Sequence, residues 1–176
     1  PRRGNPFPLL NLAPVAQGIE HRSSEPGVGG SNPSWRTIIM NHWILKTEPS
    51  TYSWEDVTRD GVTFWNGIRN YQARNNLKAM KKDDVAFFYH SGEERRLMGL
   101  VKIIKEAYPD STSKDPNWVM VDVKALKPLK KPVDLTTIKL VPELQQIKLV
   151  KQGRLSVSPL TQKEFKILLK LSKTKC

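Results

Sequence analysis

The pattern of apolar and polar positions predicts a folded region that begins near Met40. Short apolar runs rich in Val, Ile, Phe and Trp are typical of strands. The strands predicted from these runs cover residues 43–45, 85–89, 97–106 and 118–126, with a short last strand around Leu155 and Val157. In the fourth run valine recurs at every second position, which indicates a strand with one buried face.

Helices are predicted between and after these strands. Their expected ranges are 54–60, about 69–82, about 135–139 and 161–171. A capping box at Ser53 begins the first, and Asp134 caps the third. The last has an apolar face made of Phe165, Leu168, Leu169 and Leu171. Short strands interrupted by short helices favour an α+β fold built on a small curved sheet or barrel, in which Gly99 marks a bulge of the third strand.

Residues 1–39 differ from the rest of the chain, because they are rich in Pro and Gly and show no sustained period. We expect this leader to be disordered. Residues 15–21 and 29–34 resemble the conceptual translation of a transfer-RNA gene, so we expect a true start at Met40 and a non-native leader. The alternative is a natural disordered basic arm. The expected organisation is then one domain at 40–172 and a frayed tail at 173–176.

The composition of the chain also indicates a class of binding partner. The chain has 176 residues and a formal net charge of +12, which favours a polyanionic partner, with nucleic acid as the first choice. The alternative is a basic proteome background. Cys176 is the only cysteine, so an internal disulfide is excluded and a reducing, cytoplasmic, bacterial-type compartment is expected. No apolar run is long enough to span a membrane, and the three histidines are far apart in sequence, so we expect neither a membrane anchor nor a metal or other cofactor.

Residues 64–77, FWNGIRNYQARNNL, are the most informative stretch. Asn is a poor helix former, so three Asn within seven residues suggest that these amides have another task. Asn70 and Arg74 are expected to share a helix face. An indole beside amides and guanidinium groups suits a nucleobase and its phosphates. The alternative is that Trp65 fills the core while the Asn and Arg side chains cap loops.

The same stretch resembles the EVE domain family. The resemblance also takes in WILKTEP at 43–49, FYHS at 88–91, KEAYPD at 105–110 and RLSVSP at 154–159, and it covers 40–171. It implies a PUA-like fold, a bent mixed β-barrel of about five to six strands with flanking short helices. Relatives with the YTH fold read methylated adenine through an aromatic cage, and the resemblance implies a similar reading of modified bases in DNA or RNA.

Two positions depart from the family pattern. Asn66 stands where the family usually has Asp, and Gly153 stands where it usually has a polar residue. Because an amide offers a hydrogen-bond donor that a carboxylate lacks, Asn66 is expected to shift the base preference.

Roles follow for individual residues. Trp65 is the expected main stacking wall, and Asn66, Thr47 and the backbone near Glu48 are expected to satisfy the base edge. The candidates for a second aromatic wall are Tyr108, Trp54 and Trp43, and the sequence does not choose among them. The candidates for the base pocket are Trp65, Asn66, Thr47, Glu48, Asn70, Tyr108, Trp54, Tyr89, His90 and Ser91. The candidates for phosphate contacts are Lys46, Arg69, Arg74 and Arg154, each with a solvated surface charge as the alternative.

The expected function is a non-enzymatic module that recognises a modified, methylated base in DNA or RNA. One alternative is a hydrolase or nucleotide-processing enzyme that uses His90 and Ser91. A catalytic triad also needs an orienting acid and an oxyanion hole, and the sequence has no Gly-x-Ser-x-Gly elbow. A further alternative is an RNA-binding accessory module without preference for a modification.

Overall fold

The computed structural model describes residues 40–175. Its strands are β1 His42–Thr47, β2 Val62–Trp65, β3 Val85–His90, β4 Arg96–Pro109, β5 Val119–Asp134 and β6 Val157–Leu160. Its helices are α1 Trp54–Asp60, α2 Tyr71–Ala79, α3 Leu135–Leu140, α4 Lys148–Lys151 and α5 Gln162–Leu171, with a 3₁₀ turn at Pro142–Leu144. The expectations for the leader lie outside the described residues.

The six strands form one mixed sheet in the order β2-β5-β4-β3-β1-β6. β1 runs parallel to β3 and antiparallel to β6, and the remaining neighbours are antiparallel. The sheet is bent and barrel-like but not closed, which confirms the expected α+β, PUA-like architecture. Since β1 and β3 are parallel, their carboxyl ends lie together, with Thr47 opposite His90.

Every residue of β3 is buried. Its side chains alternate between two hydrophobic clusters, because successive residues of a strand point to opposite faces of the sheet. Phe88 packs into the cluster that contains Trp54, Trp65 and the inward face of α2. Phe87 and Tyr89 pack into the cluster on the other face, which contains the apolar side of α5. The continuous apolar run of β3 is therefore typical of a strand covered on both faces.

A glycine is required at position 99 because the ring of Trp54 lies close to the backbone there. A Cβ at this position would lie 2.1 Å from Cη2 of Trp54, so the indole ring occupies the space of a side chain. The register of β4 shifts between Leu97 and Gly99, which confirms the bulge expected there. The capping box at Ser53 is also confirmed, and it fixes the start of α1 directly before Trp54.

Several element boundaries differ from those expected from the sequence. No strand was predicted at residues 62–65, but β2 pairs with β5 as an edge strand. β5 continues to Asp134 rather than ending at 126, because Pro128 lies opposite Gly99 beside a register shift, where a missing N–H is tolerated. The last strand, β6, begins at Val157, so Leu155, which was expected to belong to it, lies before the strand.

α2 begins at Tyr71 and ends at Ala79, before the expected 82. The end of α2 is set by Asp84, whose carboxylate accepts hydrogen bonds from the backbone N of Lys81 and from Nε1 of Trp43, both at 2.9 Å. At the chain end, the hydroxyl of buried Thr174 accepts a hydrogen bond from the backbone N of Lys130. Thr174, which belongs to the tail expected at 173–176, is thus hydrogen-bonded to β5.

Candidate functional site

A cavity of about 380 Å³ lies where β1 ends beside β2. We call it the Trp65 cavity, and its lining residues are Lys46, Thr47, Thr51, Tyr52, Thr63, Phe64, Trp65 and Asn66. Its volume falls in the range of small-molecule sites, about 300–1,000 Å³. The sequence analysis predicted Lys46, Thr47, Trp65 and Asn66 as candidate residues, and the fold brings these four together at one place.

Three of the eight residues that line the Trp65 cavity are aromatic. Trp65 is 6% exposed, and its ring packs edge-on against Phe88 at 5.7 Å between ring centroids, so most of the indole belongs to the core. Phe64, which also belongs to the lining, is 61% exposed. Tyr52 donates a hydrogen bond from its hydroxyl to Oδ2 of Asp60 at 2.9 Å. Burial raises the pKa of Tyr52, so this hydroxyl remains a donor at neutral pH.

The sequence analysis missed Thr51, Tyr52, Thr63 and Phe64. Thr63 and Phe64 lie in β2, which was not predicted as a strand, and Thr51 and Tyr52 lie in the loop that leads into α1. The signal for Phe64 was present, because it directly precedes Trp65 in the motif. Tyr52 and Thr51 carry no local signal of proximity to Trp65.

Lys46 lies at the boundary between the Trp65 cavity and a second cavity of about 360 Å³. Its Nζ donates a hydrogen bond to the carbonyl of Gly153 and lies 5.6 Å from the ring centroid of Tyr89. Burial lowers the pKa of Lys46. Since the backbone N of Lys46 also donates to the carbonyl of Ser156 at 2.8 Å, the end of β1 is joined to the segment before β6.

The second cavity, which we call the basic cavity, has three cationic side chains in its wall and no acidic one. Its lining residues are Lys46, Tyr89, Ser91, Gly92, Arg95, Leu135, Lys139, Leu149, Val150 and Gly153. Two expected base-pocket residues, Tyr89 and Ser91, therefore face this cavity rather than the Trp65 cavity. Glu48 lines another depression, together with Pro49 and Glu94.

His90 is buried and fully engaged. Its Nε2 accepts a hydrogen bond from the backbone N of Trp54 at 2.9 Å, and its Nδ1 lies 2.8 Å from Oε2 of Glu94. The hydroxyl of Ser91 donates to the carbonyl of Thr47 at 3.0 Å. Neither ring nitrogen is thus free to take a proton from Ser91, which nucleophilic catalysis would require.

The three candidates for a second wall lie away from the Trp65 cavity. Trp54 packs against Gly99 and Phe88, and Trp43 is held by Asp84 at the opposite end of β1 from Thr47. Tyr108 donates to the carboxylate of Asp122 at 2.5 Å. Burial and this carboxylate raise the pKa of Tyr108 to about 12. Among the described residues, Tyr52 and Phe64 are the aromatic side chains that share the cavity with Trp65.

The Asn side chains of the motif have structural hydrogen bonds. Asn70 is the N-cap of α2 and accepts from the backbone N of Ala73 at 2.9 Å. Asn76 donates to the carbonyl of Val157 in β6 at 2.7 Å. The amides thus have the special task that the sequence suggested, but in these two cases it is to fix α2 to its neighbours.

Asp110 ties the turn after Trp65 to the rest of the fold. Its Oδ2 accepts from the backbone N of Gly67 at 2.9 Å and from the guanidinium of Arg69 at 2.8 Å. Its Oδ1 accepts from the backbone N and the hydroxyl of Thr112. Burial raises the pKa of Asp110, but these donors outweigh burial and lower the pKa to about 2. Asp110 was part of the family motif but was not predicted as a site residue.

The four candidates for phosphate contacts occupy different surroundings. Lys46 lines two cavities, and Arg69 forms the ion pair with Asp110. Arg74 lies over the rings of Tyr71 and Trp118. Arg154 lines a depression of about 310 Å³ with Asn70, Gln72, Gln152, Gly153 and Leu155.

Residues 40–175 contain no group of three His, Cys, Asp or Glu side chains arranged to hold a metal ion. None of the helices described there is long and apolar enough to cross a membrane.

Comparison with known proteins gives consistent matches. The family profile of the EVE domain matches residues 41–171. The chain is 38% identical over 180 residues to thymocyte nuclear protein 1 of Mus musculus, which covers 83% of this chain and 77% of the mouse protein. The match to thymocyte nuclear protein 1 of Homo sapiens is 38% identical over 167 residues and covers 76% and 74% of the two chains.

Solved structures resemble the fold over most of its length. A crystal structure of a protein from Agrobacterium tumefaciens has a TM-score of 0.75 and 40% identity, and covers 76% of this chain and 94% of its own. The crystal structure of human THYN1 protein in complex with 5-methylcytosine containing DNA has a TM-score of 0.72 and 36% identity. That match covers 77% of this chain and 99% of the human one.

Proposed function

This chain belongs to the EVE domain family, and from that premise we propose that it is a non-enzymatic nucleic-acid-binding protein that holds a methylated base in the Trp65 cavity. The observation that carries this proposal is the composition of the cavity, where three aromatic side chains meet polar groups at the end of β1. The human relative solved with 5-methylcytosine containing DNA supports the class of ligand.

The cavity has the two kinds of groups that a flipped base needs. Aromatic surface rewards the added apolar area of a methyl group, and polar groups satisfy the base edge. The hydroxyl of Thr47 and the exposed amide of Asn66 are the candidates for the edge contacts. An amide both donates and accepts, so it suits the mixed edge of a cytosine or an adenine.

Charge supports the same ligand. The net charge of +12 attracts a polyanion, and Lys46 places a cation at the border of the cavity, where the phosphate of an inserted nucleotide would lie. Neutralising phosphates releases counterions and gives affinity that falls with salt.

The catalytic alternative lacks support in the geometry. Both ring nitrogens of His90 are occupied, and the hydroxyl of Ser91 is directed at the backbone of Thr47. Binding without turnover is therefore the function that the arrangement favours.

A binding panel tests the proposal. Single-stranded and duplex DNA and RNA oligonucleotides would carry cytosine, 5-methylcytosine, 5-hydroxymethylcytosine, adenine or N6-methyladenine at one central position, with affinity measured by fluorescence anisotropy. We expect one methylated base to bind more tightly than its unmodified counterpart, and Phe64→Ala to reduce that ratio. Equal affinity for all members of the panel would leave an accessory RNA- or DNA-binding module as the function. Release of a product from any oligonucleotide would instead indicate an enzyme.

A further inference from the structure

A second aromatic surface lies outside the Trp65 cavity. The rings of Tyr71, the first residue of α2, and Trp118, just before β5, are 5.2 Å apart between centroids. The guanidinium of Arg74 lies 5.0 Å from the Tyr71 ring and 5.5 Å from the Trp118 ring, and that of Arg69 lies 5.6 Å from Trp118. We call these four residues the aromatic–arginine cluster.

The two arginines of the cluster differ in what they leave free. Arg69 is committed to the carboxylate of Asp110 at 2.8 Å and to the hydroxyl of Thr112 at 2.7 Å. Arg74 donates to the neutral side chain of Asn75, and within residues 40–175 no carboxylate forms an ion pair with it. Arg74 therefore keeps an uncompensated positive charge beside an aromatic ring that is 68% exposed.

The cluster adjoins the Trp65 cavity through Asp110. One oxygen of this carboxylate binds both the backbone N of Gly67, which follows the cavity residue Asn66, and the guanidinium of Arg69. The cavity and the cluster are thus held at a fixed separation by one buried side chain. Asn66 of the cavity and Arg69 of the cluster are three residues apart in sequence, so their Cα atoms are at most about 11 Å apart. A strand with one base in the cavity can therefore pass over the cluster.

We propose that Tyr71, Trp118 and Arg74 form a second nucleic-acid contact, which binds an unpaired nucleotide adjacent to the one in the Trp65 cavity. This inference rests on the proposed function only for the position of the neighbouring nucleotide. Exposed aromatic rings stack with bases of any sequence, and guanidinium groups pair with phosphates. A peptide rich in acidic residues would use the charge of Arg74 but would leave the ring of Tyr71 without a matching planar partner.

The contact is expected to add affinity without adding discrimination. Every base has a face that stacks, so the cluster should bind modified and unmodified strands alike. Discrimination should depend on the Trp65 cavity. The two sites therefore affect different measured quantities: the cluster changes both dissociation constants, and the cavity changes their ratio.

The experiment uses two single-stranded DNA oligonucleotides of the same sequence, one with a central 5-methylcytosine and one with cytosine there. The variant is Tyr71→Ala, with Tyr71→Phe as the variant that keeps the ring. Leu140→Ala is the matched control, because Leu140 is an apolar side chain of α3 that is 81% exposed and outside both sites. Melting temperature is measured for each variant.

Tyr71→Ala should weaken the binding of both strands by the same factor, about 5- to 150-fold if one stacked base contributes about 1–3 kcal/mol. Tyr71→Phe and Leu140→Ala should bind as the parent chain does. If Tyr71→Ala leaves both affinities unchanged, or alters only their ratio, the second contact is refuted. Equal affinity of the parent chain for the two strands would contradict the proposed function, while loss of both affinities in Tyr71→Ala would still support the second contact.

Melting temperature shows whether Tyr71 also has a structural role. If Tyr71→Ala also lowers the melting temperature, Arg74→Gln decides the question, since it removes the charge and keeps a long polar side chain. We expect Arg74→Gln to weaken both strands and to reduce by about one the slope of the logarithm of affinity against the logarithm of salt concentration. An unchanged slope would overturn the proposal.

Discussion

Asp110 gives the most specific prediction about how the site is held. Its side chain is buried, and its four accepted hydrogen bonds fix the turn at Gly67, the guanidinium of Arg69 and the loop at Thr112. Asp110→Asn keeps the shape but removes the charge. The amide NH₂ group replaces one acceptor oxygen, so the hydrogen bonds that this oxygen accepts from N–H donors are lost.

The expected cost follows from the lowered pKa of Asp110. The difference between the ordinary value of 3.8 and the folded value of about 2 corresponds to about 2–3 kcal/mol of stability at neutral pH. Because the folded pKa is the lower one, this contribution is complete above the unfolded pKa. It is lost as the pH falls toward the folded pKa, and at about pH 3 roughly half of it, about 1 kcal/mol, is gone.

Urea denaturation of the parent chain and of Asp110→Asn, near neutral pH and at about pH 3, measures both quantities. We expect the difference in free energy of unfolding to be about 2–3 kcal/mol at neutral pH and smaller in acid. Asp115→Asn is the matched control, since Asp115 is an exposed carboxylate of the same loop. The reasoning is refuted if Asp110→Asn is as stable as the parent chain, or if the difference does not shrink in acid.

Three further predictions concern the core, the cavity and the charge. Gly99→Ala should lower the free energy of unfolding in urea by about 1–3 kcal/mol or more, because its Cβ would overlap the ring of Trp54, and unchanged stability would contradict the close approach. Trp65→Ala should lower the free energy of unfolding by about 3–5 kcal/mol, because Trp65 is buried. Phe64→Ala should leave the melting temperature unchanged and reduce the preference for the methylated base, because Phe64 is exposed. The reverse pattern would remove Phe64 from the site. Lys46→Ala should weaken modified and unmodified strands alike and lower the salt slope by about one, whereas an effect on preference alone would place Lys46 at the base.

Local rules were sufficient for most of the fold. The capping box at Ser53, the fully apolar run of β3 and the apolar face of α5 each contain their signal within a few residues. β2 was missed because four residues beside a glycine are too few to show a period. The second half of β5 was missed because Pro128 opposes strand formation everywhere except beside a register shift, and that shift depends on the partner strand.

The lining of the Trp65 cavity was predictable where the motif itself forms the wall. Trp65 and Asn66 are adjacent in sequence, and the family resemblance added Thr47 and Lys46. The roles of Asn70 and His90 could not be read in this way. An N-cap and a buried imidazole that accepts from the backbone of Trp54 have the residue types of a polar pocket, and only their hydrogen-bond partners identify them as structural.

The two departures from the family pattern differ in their consequences for specificity. At Gly153 a Cβ would meet no atom within 4 Å, so the glycine is not required by packing. The carbonyl of Gly153 accepts the hydrogen bond from Lys46 whatever side chain stands there. Asn66, by contrast, presents its own side chain at the wall of the Trp65 cavity. If the Trp65 cavity holds a base as proposed, the exchange of Asp for Asn at this position is expected to change which base edge is satisfied, because an amide can donate as well as accept. The choice of base should therefore depend on Asn66, whereas the reward for a methyl group depends on the aromatic side chains around it.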